Sequence, residues 1–135
     1  MGLGLSLKQN LSFIGGNVSF VDIKESTQKP GEFFGNMSIA YDDGYFDRNN
    51  NNQWVERVSF IDIKVTNRFL KLCKNTINPG DQIAIEGKLV VDTWQESGNN
   101  RKAMKIQAEK LVGHTTKQEI ECLKAAGLLG GQPQS

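Results

Sequence analysis

Aromatic side chains are the residues of this sequence whose placement best suits a chemical role. Trp54 and Phe60 share one stretch of alternating residues, Trp94 closes a later stretch, and Tyr45 and Phe46 lie in a polar segment. We expect Tyr45, Trp54 and Trp94 to be exposed, whereas Phe60 fits the core and the surface equally well. An exposed ring presents a π-face on which any nucleobase can stack, so all five residues are candidate nucleic-acid contacts.

Basic side chains near these rings form the second candidate set. Residues 1–56 carry four basic and seven acidic side chains, residues 57–110 carry ten and six, and residues 111–135 carry two and two. The net charges of −3, +4 and 0 predict one positive face in a chain whose overall charge is +1. Such a face suits the phosphates of a nucleic acid. The candidate phosphate contacts are Arg57, Lys88, Arg101, Lys102 and Lys105.

Sequence patterns of catalytic and metal sites are not found. The chain has no GxxxxGK[ST] or GxGxxG phosphate loop, no HExxH pair and no GxSxG nucleophile. Its one histidine, His114, follows an apolar stretch, where we expect a solvated loop residue. Cys73 and Cys122 form no CxxC pair, so we expect free thiols, no metal and no cofactor. We therefore expect a protein that is not an enzyme.

Alternation of apolar and polar residues predicts five strands. They are expected at residues 10–24, 33–41, 54–63, 82–94 and 101–112. Gly15-Gly16 predicts a bulge or a sharp bend in the first strand, and Gly87 interrupts the fourth. The polar residues 42–53, with four successive asparagines, are expected to form a long loop. Residues 95–100 are expected to join the last two strands as a hairpin.

Two short helices are expected between and after these strands. Apolar residues from Val65 to Cys73 recur at helical spacing, and Asn78-Pro79-Gly80 is expected to end that helix. Residues 117–126 predict a second helix, and residues 130–135 (GGQPQS) predict a flexible tail.

Five strands with one helix between the third and fourth follow the order of a small Greek-key barrel. The expected fold class is all-β with one or two short helices, arranged as a five-stranded OB-fold barrel, and a five-stranded sandwich is the alternative. We expect an N-terminal leader at residues 1–9, the barrel at 10–112, and a helical segment with its tail at 113–135. No apolar run approaches the ~20 residues of a membrane span, and no secretion signal is evident, so a cytoplasmic protein is expected.

Three stretches of the sequence resemble the bacterial single-stranded DNA-binding protein family. They are residues 10–18 (NLSFIGGNV), residues 54–60 (WVERVSF), and residues 80–89 (GDQIAIEGKL) followed by Trp94. The resemblance covers about residues 10–112 and implies base-stacking roles for Trp54, Phe60 and Trp94. It also places Tyr45 where the family often has another stacking tryptophan.

The sequence departs from that family in its fourth strand and at its end. Positions that are often basic in the family are Val90, Asp92 and Thr93, so we expect weaker phosphate binding along this strand. In a regular strand, Glu56 would share a face with Trp54. The chain ends GGQPQS without the family's acidic tip, which recruits replication and repair enzymes, so we expect a divergent or accessory member, such as a plasmid or phage protein.

Binding of single-stranded DNA without sequence preference is the expected function. It would protect or organise single strands in replication, recombination or plasmid and phage transfer, and a homo-oligomer is expected. Replication or transfer proteins are expected as further partners. The alternative is an OB-fold protein-interaction adaptor in a replication or conjugation complex. A small nuclease is a third hypothesis, for which Asp42, Asp43 and Arg48 are the candidate residues.

Overall fold

Five long strands close into a barrel in a computed structural model that describes residues 9–127. In chain order the elements are β1 (Ser12–Glu25), β2 (Phe33–Asp42), β3 (Tyr45–Asp47), a 3₁₀ turn (Arg48–Asn50), β4 (Gln53–Val55), β5 (Val58–Val65), α1 (Asn67–Leu72), β6 (Gln82–Glu96), β7 (Asn99–Thr115) and α2 (Lys117–Ala125). Most of the leader expected at residues 1–9 and the whole tail expected at residues 130–135 lie outside the described residues.

The barrel has the strand order β1-β2-β5-β7-β6, and β6 pairs back to β1. All of these pairs are antiparallel except β5 with β7, which run parallel and meet at Ile63 and Ile106. Closure leaves no exposed sheet edge along the paired segments. The predicted all-β barrel with two short helices is confirmed, and the sandwich alternative is wrong.

The barrel core follows from the alternation of residues along each strand. Apolar residues of all five strands point inward, and α1 adds Phe69, which is 1% exposed. Each fully buried side chain of this kind contributes about 1.5–3 kcal/mol to folding. Thr66 begins α1 by accepting a hydrogen bond from the N–H of Phe69. The helix ends at Leu72, well before Asn78, so the predicted position of its end was wrong.

Glycines are required where two backbones approach closely. Of the strand irregularities predicted at Gly15-Gly16 and at Gly87, the one at Gly87 is confirmed. The pairing of β6 with β7 shifts register at Gly87, where a Cβ would clash with the carbonyl oxygen of Gln107. The register irregularity of β1 lies between Val18 and Phe20, so of the two alternatives for Gly15-Gly16 the bulge is wrong. Gly16 is instead required because a Cβ there would meet the backbone of Ala40.

A small hairpin occupies much of the segment that was predicted to be a loop. β3 pairs with β4 across a turn in which Asn51 and Asn52 both have φ of 56°, a left-handed conformation that asparagine tolerates well. The chain then leaves strand geometry before β5 begins at Val58. The continuous strand predicted from Trp54 to Ile63 is therefore wrong, and so is the regular-strand geometry assumed for Glu56 and Trp54.

The last strand and helix are held together by a buried carboxylate. Asp81 is 2% exposed and accepts hydrogen bonds from the backbone N–H of Asn78 (2.9 Å), from that of Lys117 (2.8 Å) and from His114 Nε2 (2.8 Å). Burial raises the pKa of Asp81, but these hydrogen bonds lower it further than burial raises it, so the pKa lies below its ordinary value.

His114 itself lies within β7, and its side chain is 7% exposed. The expectation of a solvated loop histidine is therefore wrong. α2 begins directly after this strand with a capping box, in which Thr116 and Glu119 exchange side chain–backbone hydrogen bonds. Over the described residues, neither helix has the length and apolarity to cross a membrane.

Candidate nucleic-acid interface

Exposed phenylalanines lie on β1, β2 and β5, among them Phe20, Phe34 and Phe60. Phe60 of β5 pairs with the small Ala40, and its side chain is 65% exposed. Phe20 of β1 and Phe34 of β2 are 54% and 53% exposed, and both alternate with residues that point into the barrel. Sequence reasoning missed Phe20 and Phe34, although the same alternation that identified the strands places them outward.

The β3–β4 hairpin holds Trp54 in a defined position. Phe46 pairs directly with Trp54, and their ring centroids lie 4.9 Å apart with an angle of 70° between the planes, an edge-to-face contact. The indole also covers Gly44, because a Cβ at that position would clash with it. Half of Trp54 nevertheless remains exposed. Phe46 and Gly44 therefore hold the indole in place, and the rest of its surface is open to solvent.

Tyr45 lies on the opposite face of this hairpin. It pairs with Val55, so its side chain points away from the side that carries Phe46 and Trp54. The guanidinium of Arg57 lies 5.1 Å from the Tyr45 ring centroid and 2.9 Å from Asp43 Oδ2. One face of the Tyr45 ring is thus covered by a cation that already has a carboxylate partner.

Asp43 links the base of the hairpin to β5 and to Arg57. Its carboxylate also accepts a hydrogen bond from Ser59 Oγ, and its N–H donates to the carbonyl oxygen of Arg57. Asp42 accepts from the N–H of Gly44. Among residues 9–127 no three ligating side chains come close enough to hold a metal ion. Two of the residues considered for a nuclease, Asp42 and Asp43, are thus engaged in hydrogen bonds at the base of the hairpin.

The ends of β6 and β7 extend beyond the barrel as a two-stranded arm, residues 90–96 and 99–105. In the described ladders, β7 pairs with β5 only at Ile106 and Gln107, so the arm residues pair with each other. Ser97 and Gly98 form its turn with φ of 53° and 78°. The predicted hairpin is therefore confirmed.

Trp94 and the basic residues of this arm divide between its two faces. Trp94 is 43% exposed and pairs with Arg101, whereas Lys102 pairs with Thr93 and points to the other face. The indole N–H of Trp94 donates a long, 3.4 Å hydrogen bond to Glu96. Successive side chains of a strand point to opposite faces, so Arg101 and Lys102 cannot both contact phosphates that run along one face of the arm.

Three of the five candidate phosphate contacts already have acidic partners. Besides Arg57 with Asp43, Lys88 Nζ lies 4.0 Å from Glu109, and Lys105 Nζ lies 3.4 Å from Asp92. Over residues 9–127, Arg101 and Lys102 make no ion pair. These two residues are therefore the candidates that meet a phosphate without first giving up a carboxylate.

Asp92 forms ion pairs with two lysines, one from β5 and one from β7. Lys64 Nζ of β5 lies 2.9 Å from Asp92 Oδ1, and Lys105 Nζ lies 3.4 Å from Asp92 Oδ2. Lys105 also donates to Asn36 Oδ1 of β2 at 3.0 Å. The hydrogen bond from Lys64, and then the charges of both lysines, hold the pKa of Asp92 below its ordinary value. The sequence did not reveal this cluster, because its members are distant in sequence.

Residues 10–113 match the Single-strand binding protein family. Single-stranded DNA-binding protein 2 of Chlorobaculum tepidum is 25% identical over 103 residues, which are 76% of this chain and 68% of that protein. The Single-stranded DNA-binding protein of Treponema pallidum is 33% identical over 61 residues, which are 45% of this chain and 35% of that protein. The family match spans the barrel up to Gly113 of β7.

Solved structures show the same fold. The Plasmodium falciparum SSB, in a complex with ssDNA, has a TM-score of 0.62 and 19% identity over 82% of this chain and 95% of that one. The single-stranded DNA binding protein of Thermus aquaticus, a deletion mutant, has a TM-score of 0.61 and 19% identity over 76% of this chain and 49% of that one. At these identities the likeness concerns the barrel fold.

Proposed function

Because the chain belongs to the single-strand binding protein family, we propose that it binds single-stranded DNA without sequence preference. Nucleobases stack on its exposed aromatic rings, and lysine and arginine side chains contact the phosphates. The observation that carries this proposal is the exposure of Trp54 (50%), Phe60 (65%) and Trp94 (43%), each of which lies on a β-strand. Buried rings would have fitted a structural role instead.

The three rings are carried by three different elements, which suits an extended ligand. Trp54 lies on the β3–β4 hairpin, Phe60 on the outer face of the barrel, and Trp94 on the β6–β7 arm. Trp54 is already held by Phe46 and Gly44, so stacking a base on it costs little side-chain entropy. Bases are offered from a flexible single strand, whereas a duplex keeps them stacked and paired.

Tryptophan fluorescence tests the proposal directly, because Trp54 and Trp94 are the two tryptophans of the chain. Titration with oligothymidylate is expected to quench the emission, and the single variants Trp54→Phe and Trp94→Phe assign the signal to each ring. Binding without quenching would refute stacking on the tryptophans. Tighter binding to a duplex than to a single strand would refute the proposed substrate.

Contact with other proteins is the second candidate function, and one surface favours it. Leu89, Val91 and Met104 are 45%, 56% and 66% exposed on the face of the arm opposite Trp94. Contiguous exposed apolar groups of this kind mark interaction surfaces. Sedimentation equilibrium of the wild type and of Met104→Glu tests self-association, and a partner in replication or transfer is the alternative occupant. The cytoplasmic location and the cellular process remain predictions.

A further inference from the structure

The Asp92 carboxylate occupies a position that is built for an anion. Two ammonium groups, Lys64 Nζ at 2.9 Å and Lys105 Nζ at 3.4 Å, bind its two oxygens, and Asn36 orients Lys105 from behind. The side chains of Lys64, Asp92 and Lys105 are 39%, 25% and 17% exposed. The two lysines carry one more positive charge than the carboxylate neutralises, and solvent reaches all three groups.

A DNA phosphodiester has the same recognition chemistry as this carboxylate. Both groups present two oxygens that share one negative charge, and both accept charge-assisted hydrogen bonds from ammonium groups. A cavity of about 360 Å³ opens beside Asp92, and Phe34 and Lys64 are among its lining residues. The 53% exposed ring of Phe34 offers a stacking surface for a base next to the lysines that would hold its phosphate.

We propose that Lys64, Lys105 and Asn36 form a phosphate subsite for single-stranded DNA, which Asp92 fills in the free protein and yields to a DNA phosphate. Phe34 is the stacking surface of this subsite. The inference rests on the proposed function and adds Lys64, Asn36, Phe34 and the competing Asp92 to the candidate contacts. Asp92 thus acts as an internal competitor that weakens DNA binding.

The first test compares Asp92→Asn with a matched control. Asp62→Asn makes the same charge change on the outer face of β5, two residues from Lys64, where Asp62 makes no ion pair with any described residue. Asp92→Asn is expected to tighten oligothymidylate binding roughly two- to fivefold at 0.1 M salt, the order of a partly exposed ion pair. Asp62→Asn is expected to change it less than twofold. Equal effects of the two variants, or weaker binding by Asp92→Asn, would overturn the proposal.

The second test adds Lys64→Gln to both backgrounds. If Asp92 restrains Lys64, removing Lys64 costs more affinity in Asp92→Asn than in the wild type, and the double variant loses the gain. The dependence of log K on log salt is also expected to become shallower by about 0.7 in the double variant than in Asp92→Asn, the value of one phosphate contact on a single strand. A gain that survives Lys64→Gln would show that Lys64 is not the phosphate ligand.

The wild-type protein provides a measurement that no folding defect can disturb. A crystal structure with bound oligothymidylate is expected to show a phosphate within hydrogen-bond distance of Lys64 Nζ and Asp92 moved away from it. Both lysine contacts of Asp92 intact in a DNA-bound complex would overturn the subsite while the proposed function stands. If the wild type binds no single-stranded DNA at all, the proposed function fails first.

Discussion

Truncation of Trp54, compared with truncation of its neighbour Phe46, shows which of the two rings contacts a base and which only orients the other. Trp54→Ala removes the exposed indole, and stacking of one base on an aromatic ring is worth about 1–3 kcal/mol in single-strand-binding proteins generally. By the tenfold change for each ~1.4 kcal/mol, the dissociation constant should rise roughly 5- to 150-fold. The hairpin is mostly exposed, so the barrel core is untouched.

Phe46→Ala provides the matched comparison within the same pair. The edge-to-face contact with Trp54, at 4.9 Å between centroids, has a magnitude of about 0.5–1.5 kcal/mol. If Phe46 acts only by orienting Trp54, its truncation weakens binding in the wild type and has no further effect in Trp54→Ala. If Phe46 stacks a base itself, as the sequence predicted, the two losses add.

Fluorescence anisotropy of a labelled oligothymidylate measures all four proteins of this cycle. Thermal denaturation of each variant provides the control, and transitions within a few degrees of the wild type show an intact barrel. Unchanged affinity of Trp54→Ala in a folded protein would refute the reasoning, because half of this ring is exposed for no other reason that the structure shows.

Three further predictions concern stability, the hairpin and salt. Asp81→Ala leaves buried donors unpaired and should lower the free energy of unfolding by about 3–5 kcal/mol, measured in urea. Folding lowers the pKa of Asp81, so the stabilisation from this carboxylate is complete above its ordinary pKa of about 3.9 and is lost as pH falls through the lower folded value. Asp81→Asn should lack this acid-sensitive part of the stability. Equal dependence of the unfolding free energy on pH in Asp81→Asn and the wild type would contradict the assignment. Gly44→Ala should displace the Trp54 indole and weaken DNA binding without unfolding the barrel; quenching and affinity equal to the wild type would exclude that contact. Arg101 and Lys102 lack acidic partners among residues 9–127, and each phosphate contact contributes ~0.7 to the slope of log K against log salt, so these two residues should give a slope of about −1.4. A slope near zero with tight binding would refute these contacts.

Local patterns determined the strands and the second helix. Alternation has a period of two residues wherever one face of a strand is buried, so the five barrel strands and the fold class could be predicted from the chain, whereas the short strands β3 and β4 could not. The same holds for α2, whose Thr116 and Glu119 form a capping box within four residues of sequence. The exposure of Trp54 and Trp94 was also predictable, because Trp54 directly follows a polar run and Trp94 lies between Thr93 and Gln95.

Pairing between residues distant in sequence decided where β4 ends and which way Tyr45 points. Apolar residues stand on both sides of Glu56 and Arg57, so the sequence conceals the break that appears when β4 pairs with β3 and Asp43 binds Arg57. The direction of Tyr45, opposite to Trp54, follows from that pairing alone.

The two carboxylate clusters depend on tertiary structure in the same way. His114 lies 33 residues from Asp81, and Lys64 lies 28 residues from Asp92. A charged residue in a sequence has no preferred partner until closure of the barrel brings β5, β6 and β7 side by side. The sequence by itself therefore determined the barrel strands and the exposure of both tryptophans, whereas the tertiary structure decided which of the outward cations are free to meet a phosphate.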